Sequence, residues 1–511
     1  MGLHIVWFRI GDLRVLDHEP LVSACKARPH TILPLVILRP RGMDEDGVIS
    51  SMSYRQECIR RALVGLGDRI REAGSTLCVI QDGWEKGLES MVNMYSGSEI
   101  ELHYYKSPHP CIDGISHEEE MDVLNVLSNV KKNVYWGRTL FHPEDMAQVH
   151  CGEEISCGDG GWLEQMYPGS LQIISKCDTM TQFRQAVQGV VPVRRPFDEP
   201  DLNRFCRDID SIMSVMEPHC VDPRSLEFVH YKDVPVRNVV VRTGVPIEEA
   251  AVHVHISDML SDSGYMSAYR ESRMSSSIDL GGFMTSTALS LGTISPRSVY
   301  SAVARQLGQL WEWSSSIGAS SPGEEWLLMH LVIRDYFLYL SEMEAKHIRG
   351  YGDDVQWSIS PEKMDAWLSG TTGFPFVDAS MRELRATGFM SNRGRQNVAS
   401  FLTKSLGIDW RLGEKYFQQV LIDYEPGVNV ESWAYVAGVG PGRRNSTFLT
   451  VTQGEKYDPE ATLITRWIPE ISNLDTAAKH RPWSSDESSS LHTNGYPSPI
   501  LDPASQISKR G

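Results

Sequence analysis

Between Gly373 and Trp433 the chain gathers side chains suited to chemistry rather than to packing. Arg393 and Arg395 precede Asp423, Glu425 and Asn429, with the indoles of Trp410 and Trp433 close by. Indole is easily oxidised and, packed in series, suits electron hopping. The Asn429 amide can hydrogen-bond a redox group but cannot readily protonate it. Taken singly, each charged residue here reads equally well as a surface ion pair or a helix cap, and a lone Trp as core. Their joint order and spacing carry the signal.

Two amphipathic helices must position these groups. Val398, Phe401, Leu402 and Leu406 fall at i, i+3, i+4 and i+8, one face of a helix. Leu412, Tyr416, Phe417, Val420 and Leu421 repeat the pattern, and the irregular stretch beyond them bears the acids. The run Met-Ser-Asn-Arg-Gly-Arg-Gln-Asn-Val-Ala-Ser-Phe-Leu at 390–402 resembles the photolyase/cryptochrome superfamily, and its DASH-type branch best. With gaps, the resemblance runs from Val6 to about Pro499.

The resemblance implies a bound FAD. It carries the diphosphate contacts onto Tyr269, Arg273 and Ser286, although the hydroxyl normally found at position 283 is replaced by Phe283. Arg395 and Asp423 match the ion pair beside the flavin ring, Asn392 and Glu425 the lining of the ribose and ring region, and Asn429 the residue facing flavin N5. Trp433, Trp410 and Trp357 match the three indoles that relay electrons to photoexcited flavin, with Trp357 ten residues before the matching Trp367. The substrate-facing positions depart from the pattern. Relatives that repair pyrimidine dimers carry a glutamate and a stacking tryptophan where this chain has His330 and Ile333. A flipped base wants a flat platform, and losing it forfeits stacking of about 1–3 kcal/mol per base. His330 reads as a satisfied core histidine in preference to a substrate contact, because residues 326–340 are apolar on almost every side. Arg334 and Asp335, within that stretch, must satisfy each other or nearby groups. Gln396 and Tyr435 are the residues of the DASH branch. Relatives often bind 5,10-methenyltetrahydrofolate as an antenna, through an acidic residue after the fourth strand. Here Ser107 stands there, and Glu118–Glu120 come after it, readable also as the negative first turn of a helix.

Residues 1–150 alternate strand and helix. Apolar runs at 4–8, 31–38, 76–81, 100–105 and 133–136, with an amphipathic helix over 54–73, predict a doubly wound parallel sheet, an α/β domain that the resemblance implies is the antenna domain. Residues 151–217, rich in Gly, Pro, Asp and Ser, read as a long connector on the surface. Residues 218–483 read as all-α, with helices over 256–273, 298–317, 324–340, 361–368 and 378–387, and the resemblance implies that this is the FAD-binding domain. Residues 484–511 read as a short polar tail.

The net charge of −17 argues against general duplex binding. A local basic rim of Arg393, Arg395, Lys404, Arg443 and Arg444 stays open. Nine scattered cysteines without a Cys-x-x-Cys pair indicate free thiols and no zinc site. No apolar run reaches the ~20 residues of a membrane helix, and no signal segment precedes the first strand, so a soluble intracellular protein of nucleus or cytoplasm is expected. The resemblance therefore implies a blue-light photoreceptor in which photoexcited FAD is reduced through the tryptophan chain to start signalling, rather than an enzyme. Its expected partners are FAD, a signalling protein and, weakly, single-stranded nucleic acid. The alternative is a light-driven deoxyribodipyrimidine photo-lyase acting on cyclobutane dimers, preferentially in single strands. A nucleic-acid-binding regulator without photochemistry is a third class, and it would need a broken tryptophan chain.

Overall fold

The computed structural model describes residues 2–38, 53–81, 83–108, 114–149, 161–202, 209–226, 244–262, 266, 269, 285–307, 323–440, 442, 445–484 and 495–507. Five strands form one parallel sheet: β1 (Gly2–Phe8), β2 (Thr31–Ile37), β3 (Cys78–Ile80), β4 (Glu99–Tyr105) and β5 (Lys131–Tyr135), in the order β3-β2-β1-β4-β5. Helices α1 (Glu19–Lys26), α2 (Ser53–Glu72), α3 (Trp84–Met94) and α4 (Gly114–Val126) connect the strands. Side chains alternate across a strand, so each strand feeds two cores. Val6 and Phe8 join Ile32, Val36 and the Leu63–Leu66–Ile70 face of α2 on one side. Ile5 and Trp7 join Leu33, Leu35 and the Leu88 and Met91 of α3 on the other.

The loop after β5 leaves the sheet and runs into α5 (Pro143–Val149). The segment beyond it is not the surface connector expected from its composition. Helices α6 (Gly161–Met166), α7 (Gln172–Ser175) and α8 (Met180–Val187) bury Leu163, Ile174, Phe183 and Val187 in a core with the helical domain. Helix α9 (Ile209–Met216) turns back and buries Ile212 against the sheet. Helices of one or two turns are too short to show a periodic pattern.

The helical domain continues with α10 (Glu249–Ser261), α11 (Ser286–Leu291), α12 (Pro296–Gln306) and the long α13 (Gly323–Glu344). The later parts of the helices expected over 256–273 and 298–317 fall largely outside the described residues. Then come α14 (Pro361–Ser369), α15 (Pro375–Thr387), α16 (Asn392–Ser400), α17 (Trp410–Val420), α18 (Pro426–Ala437), α19 (Thr450–Tyr457), α20 (Thr462–Trp467) and α21 (Thr476–His480). Two of the contacts that pin the two domains together bear on the site. The first loop donates Gly11 N and Leu13 N to Leu291 O, and Asp17 binds the Arg297 guanidinium at 2.8 Å. Gly292 sits against this loop; at φ +71° any Cβ there would strike Gly11 O at 1.9 Å. The second pin is α13, through its contacts with the loop after β5.

Part of the expected tail is also packed. Residues 495–507 lie against α15: the Tyr496 hydroxyl donates to Asp378 at 2.8 Å, and Ile500 N to Thr372 O at 2.9 Å. Asp378 also accepts from Thr372 N and Gly373 N, and complete burial still pushes its carboxyl up to about 6.

Candidate flavin site

The helix pair expected from periodicity forms, with one interruption. Ser391 caps α16 by accepting from Gly394 N, and a π-helical turn at Phe401–Ser405 intervenes before Asp409 caps α17 through Arg411 N. Such turns insert a residue and re-aim the chain beyond them. The loop from Leu421 to Glu425 is held from outside: Ile422 N donates to Gly388 O at 2.9 Å, and Arg55 of α2 donates to Ile422 O at 2.8 Å. This clamp presents Asp423 and Glu425 at the start of α18.

Arg395 and Asp423 form an ion pair with both carboxylate oxygens at 2.8–2.9 Å from one guanidinium nitrogen. Arg395 is also tied to Met390 O, so its plane is fixed. This pairing removes most of its charge from the basic rim that the sequence left open. Arg393 stacks on the Tyr457 ring at 4.1 Å and donates to Gln396, and Lys404 reaches Ser446 O. Arg443 and Arg444 lie outside the described residues.

Glu425 is bound by two arginines. Arg334 of α13 donates to one oxygen at 2.9 Å, and Arg138, from the loop after β5, holds the other. Arg334 also donates to Arg138 O at 2.5 Å. Of the two partnerships open to Arg334 and Asp335, the structure therefore takes the one with nearby groups. Asp335 accepts Leu140 N and Phe141 N at 3.0 and 2.9 Å, and burial pushes its carboxyl up to about 7. One short loop of the sheet domain thus fastens α13 and supplies Arg138 to the site.

Asn429, on the inner face of α18, donates its amide N–H to Glu414 of α17 at 2.9 Å. That fixes the amide with its carbonyl oxygen turned the other way, an acceptor for an N–H group. Burial pushes the Glu414 carboxyl up to about 7, against the opposing effect of this hydrogen bond.

The three indoles grade from core to surface. Trp433 and Trp410 are each 2 % exposed and share one core, whereas Trp357 is half-buried beside exposed residues 353–356. The Trp410 and Trp357 indole N–H groups donate to consecutive carbonyls, Tyr351 O and Gly352 O, both at 3.0 Å. Gly413, one turn into α17 from Trp410, packs against Trp433; a Cβ there would come within 2.3 Å of the ring. Trp433 also meets Trp367 edge-on, with ring centroids 6.3 Å apart.

His330 is not the core histidine that the sequence favoured. Trp326, Met329, His330, Ile333 and Arg334 are half-buried at i, i+3, i+4, i+7 and i+8, so one stripe of α13 is partly exposed while the opposite faces are core. His330 Nδ1 lies 3.3 Å from the Tyr269 hydroxyl. Ile333 and Tyr435 each pack at the edge of a core. Of the remaining residues expected at the cofactor, Asn392 and Ser286 are exposed in the first turns of α16 and α11, Tyr269 is buried, and Arg273 lies outside the described residues. A separate cavity of about 900 Å³, lined by Asp17, Phe197, His253 and Arg305 among others, lies apart from all of these groups.

Glu120 is not in a first turn either. It stands mid-helix in α4, is 1 % exposed, accepts from Ser107 N at 2.9 Å, and pairs with Arg9 at 2.8 Å and with Lys106. It therefore sits over the carboxyl ends of β1 and β4, where the strand order reverses, the usual ligand crevice of such sheets.

Two family profiles cover most of the chain: "DNA photolyase" matches residues 4–152, and "FAD binding domain of DNA photolyase" matches residues 326–510. A cryptochrome DASH of Xenopus laevis is 32% identical, across 96% of this chain and 88% of its own. The chain belongs to the photolyase/cryptochrome family. A cryptochrome DASH of Gloeobacter violaceus is 31% identical over 94% of this chain and 88% of its own length. The crystal structure of a Synechocystis cryptochrome superposes with a TM-score of 0.77 at 27% identity, covering 99% of this chain and 98% of that one. A class III photolyase of Agrobacterium tumefaciens, at 22% identity and a TM-score of 0.72, shares the fold. This photolyase–cryptochrome flavoprotein thus has an α/β sheet domain followed by a helical FAD-binding domain. Among the described residues, no helix is long and apolar enough to cross a membrane.

The residues present fit FAD. A fixed ion pair, an oriented amide with a free acceptor direction and a buried indole surround the Leu421–Glu425 loop. Sequence reasoning missed Arg138 and Glu414. Neither has a local signal, since Arg138 meets Glu425 across 287 positions and Glu414 is one polar residue on an otherwise amphipathic helix.

Proposed function

We propose that this flavoprotein is a blue-light photoreceptor whose output begins with electron transfer along its own tryptophans. The observation that carries the reading is the graded chain: two indoles in the core and a third at the surface, beside an α13 stripe that offers His330 and Ile333 rather than an acid and a flat ring. Bound FAD would supply the blue-light absorption and the electron acceptor. With the flavin bound, Trp433 would be the indole that gives up an electron, Trp410 the one that refills it, and Trp357 the one that brings the positive charge to solvent. Arg395 and Asp423 fix the polar edge of the site. Asn429, held by Glu414, offers an acceptor to a protonated ring nitrogen. Glu425 and its two arginines connect this region to the sheet domain, a route by which a change of charge would reach another surface. Glu120, with Arg9, Lys106 and the Trp162 ring 5.9 Å from the Lys106 ammonium, is where we place a folate antenna.

The second reading, light-driven repair of cyclobutane dimers in single-stranded DNA, is favoured by one observation. His330 lies on the partly exposed stripe of α13, where a ring nitrogen could hydrogen-bond a pyrimidine.

The deciding experiment illuminates the purified holoprotein in two assays. Flavin photoreduction should be fast in the parent and slow in Trp433→Phe; equal rates would end the relay assignment. A thymine dimer in a single-stranded oligonucleotide, with the flavin reduced beforehand, should remain unrepaired. Efficient repair would replace the receptor by the photolyase.

A further inference from the structure

The face of the sheet covered by α1 carries a second polar cluster, far along the strands from the Leu421–Glu425 loop. Strand alternation puts His4, Glu101, His103, Asn133 and Tyr135 on that face. The register sets His4 opposite Glu101 and His103 opposite Asn133. Their neighbours on the same face of β1, Val6 and Phe8, are fully buried apolar residues, so apolar side chains would be the ordinary choice here. His4, Glu101 and His103 are instead 5, 8 and 3 % exposed. Buried polar groups at this density are costly unless each is satisfied.

The side chains converge on one point. His4 Nδ1 lies 2.9 Å from His103 Nε2, and His103 Nε2 lies 3.8 Å from one Glu101 carboxylate oxygen. The Asn133 amide nitrogen is 2.7 Å from that same oxygen and 3.4 Å from His103 Nε2. One donor atom each from His4, Glu101 and His103 fits within a 4.8 Å span.

We propose that His4, His103 and Glu101 bind a divalent first-row cation, zinc by preference, with Asn133 as the fourth ligand. Zinc–nitrogen and zinc–oxygen lengths of about 2.0–2.1 Å place tetrahedral donors roughly 3.3 Å apart. Distances of 2.7, 2.9, 3.4 and 3.8 Å straddle that value, so these donors must move by up to about 0.6 Å to close on a cation. Two imidazoles and a carboxylate suit zinc better than magnesium or calcium, which take oxygen donors. Asn133 joins by turning its amide over, since oxygen and nitrogen of an amide are assigned from their neighbours. The oxygen then occupies the place now held by the nitrogen.

The surroundings of the ligands match the needs of such a cation. His103 Nδ1 is 3.0 Å from the Tyr135 hydroxyl, and Lys131 holds the second Glu101 oxygen at 2.7 Å. Partners of this kind orient metal-binding imidazoles and carboxylates. Binding needs lone pairs on His4 Nδ1 and His103 Nε2. His103 supplies its own by carrying its proton on Nδ1, toward Tyr135, and His4 by carrying its own on Nε2. Both rings stay neutral, so only tautomers change and no proton is released. Burial lowers the pKa of both imidazoles, that of His103 to about 4, so the cation would meet neutral rings. The Lys131 side chain, 61% exposed, marks the solvent side of the cluster at the start of β5. Once bound, the cation would tie β1, β4 and β5 together at their amino-terminal ends. The cysteines, on which the sequence rested its expectation of no zinc site, play no part.

The test uses the full chain with its flavin, stripped with a chelator and titrated with zinc chloride by calorimetry, and with cobalt(II) by its visible d–d bands. One equivalent should bind, with cobalt bands of the intensity typical of four ligands. His103→Gln and Glu101→Gln should each weaken zinc binding at least tenfold, and Tyr135→Phe by about tenfold. Flavin content reports whether each variant folds. Should His103→Gln fail to fold, Tyr135→Phe and a zinc-dependent rise in the unfolding temperature of the parent decide the matter. Absence of binding at millimolar zinc would overturn the proposal. So would equal affinity in parent, Glu101→Gln and Tyr135→Phe, which would place the zinc on other groups. None of these outcomes bears on the photoreceptor reading.

Discussion

Replacing Glu414 by Gln tests the electrostatics of the candidate flavin site directly. Gln keeps the shape and still accepts the Asn429 amide N–H through its side-chain oxygen. It removes the ionisable proton. Burial pushes the Glu414 carboxyl from its ordinary 4.5 up to about 7, so the folded chain holds this proton more tightly than the unfolded chain. The sign comes from linkage. This group destabilises the fold progressively as pH rises from about 4.5 to about 7, and by a constant amount above that. At about pH 5.5 the cost is about 1 unit, or ~1.4 kcal/mol; at about pH 8.5 it reaches 2.5 units, or ~3.4 kcal/mol. The advantage of Glu414→Gln over the parent should therefore grow by about 2 kcal/mol between these conditions, an upper bound because Glu414 is only half-buried. Urea denaturation of both holoproteins at the two pH values measures it. Other titrating groups cancel in the difference. A stability difference that does not move with pH would show that Glu414 ionises at its ordinary pKa and refute the reasoning.

The same geometry sets three further outcomes. Gly413→Ala would push a methyl to within 2.3 Å of the Trp433 ring and 2.7 Å of Leu402; unfolding should be easier by about 1–3 kcal/mol, and flavin photoreduction slower, measured by denaturation and transient absorption. Glu425→Ala leaves Arg138 and Arg334 facing each other without a carboxylate, so a loss on the order of 3 kcal/mol is expected, with flavin content falling in parallel. Asp335→Asn leaves one of the Leu140 and Phe141 N–H groups without an acceptor, which should cost about 1–3 kcal/mol in urea denaturation. That loss should be largest in acid and shrink as pH rises toward about 7, because the raised carboxyl makes the parent alone lose stability over that range.

The sheet was legible because short apolar runs of strand length alternate with helical stretches along residues 1–150, and side chains alternate between the two faces of each strand. Alternation alone assigns Val6 and Ile5 to opposite cores. The Arg395–Asp423 pair was legible only through the family pattern, since 28 positions separate the partners. Arg138 could not be read at all. Its role depends on the loop after β5 folding over α13, and that depends on Asp335 capturing two backbone N–H groups 194 and 195 positions away. The same reason hid Glu120, which reads locally as one of three acids and becomes a partner of Arg9 and Lys106 only once β1 and β4 lie side by side. His330 shows the opposite error. The apolar composition of α13 suggested burial all round, yet helical spacing alone could have separated the stripe at 326, 329, 330, 333 and 334 from the core faces.

The division of labour along α13 explains why family membership does not settle what the protein does. Leu331, Val332, Tyr336 and Tyr339 hold the helix in its core, and Arg334 and Asp335 lock it to the sheet domain. Those contacts fix the architecture shared with relatives of either activity. His330 and Ile333 touch this framework only at its margin, and Trp410 and Trp433 belong to a different core. Substitutions at positions with no shared partners act almost independently. A chain can therefore change what it presents to a substrate while its electron path stays intact, and the reverse is equally open. Fold similarity reports the framework, and the chemistry is decided at the partly exposed stripe. That is why photoreduction and dimer repair must be scored in one preparation: a protein competent in the first and silent in the second has kept the path and lost the platform.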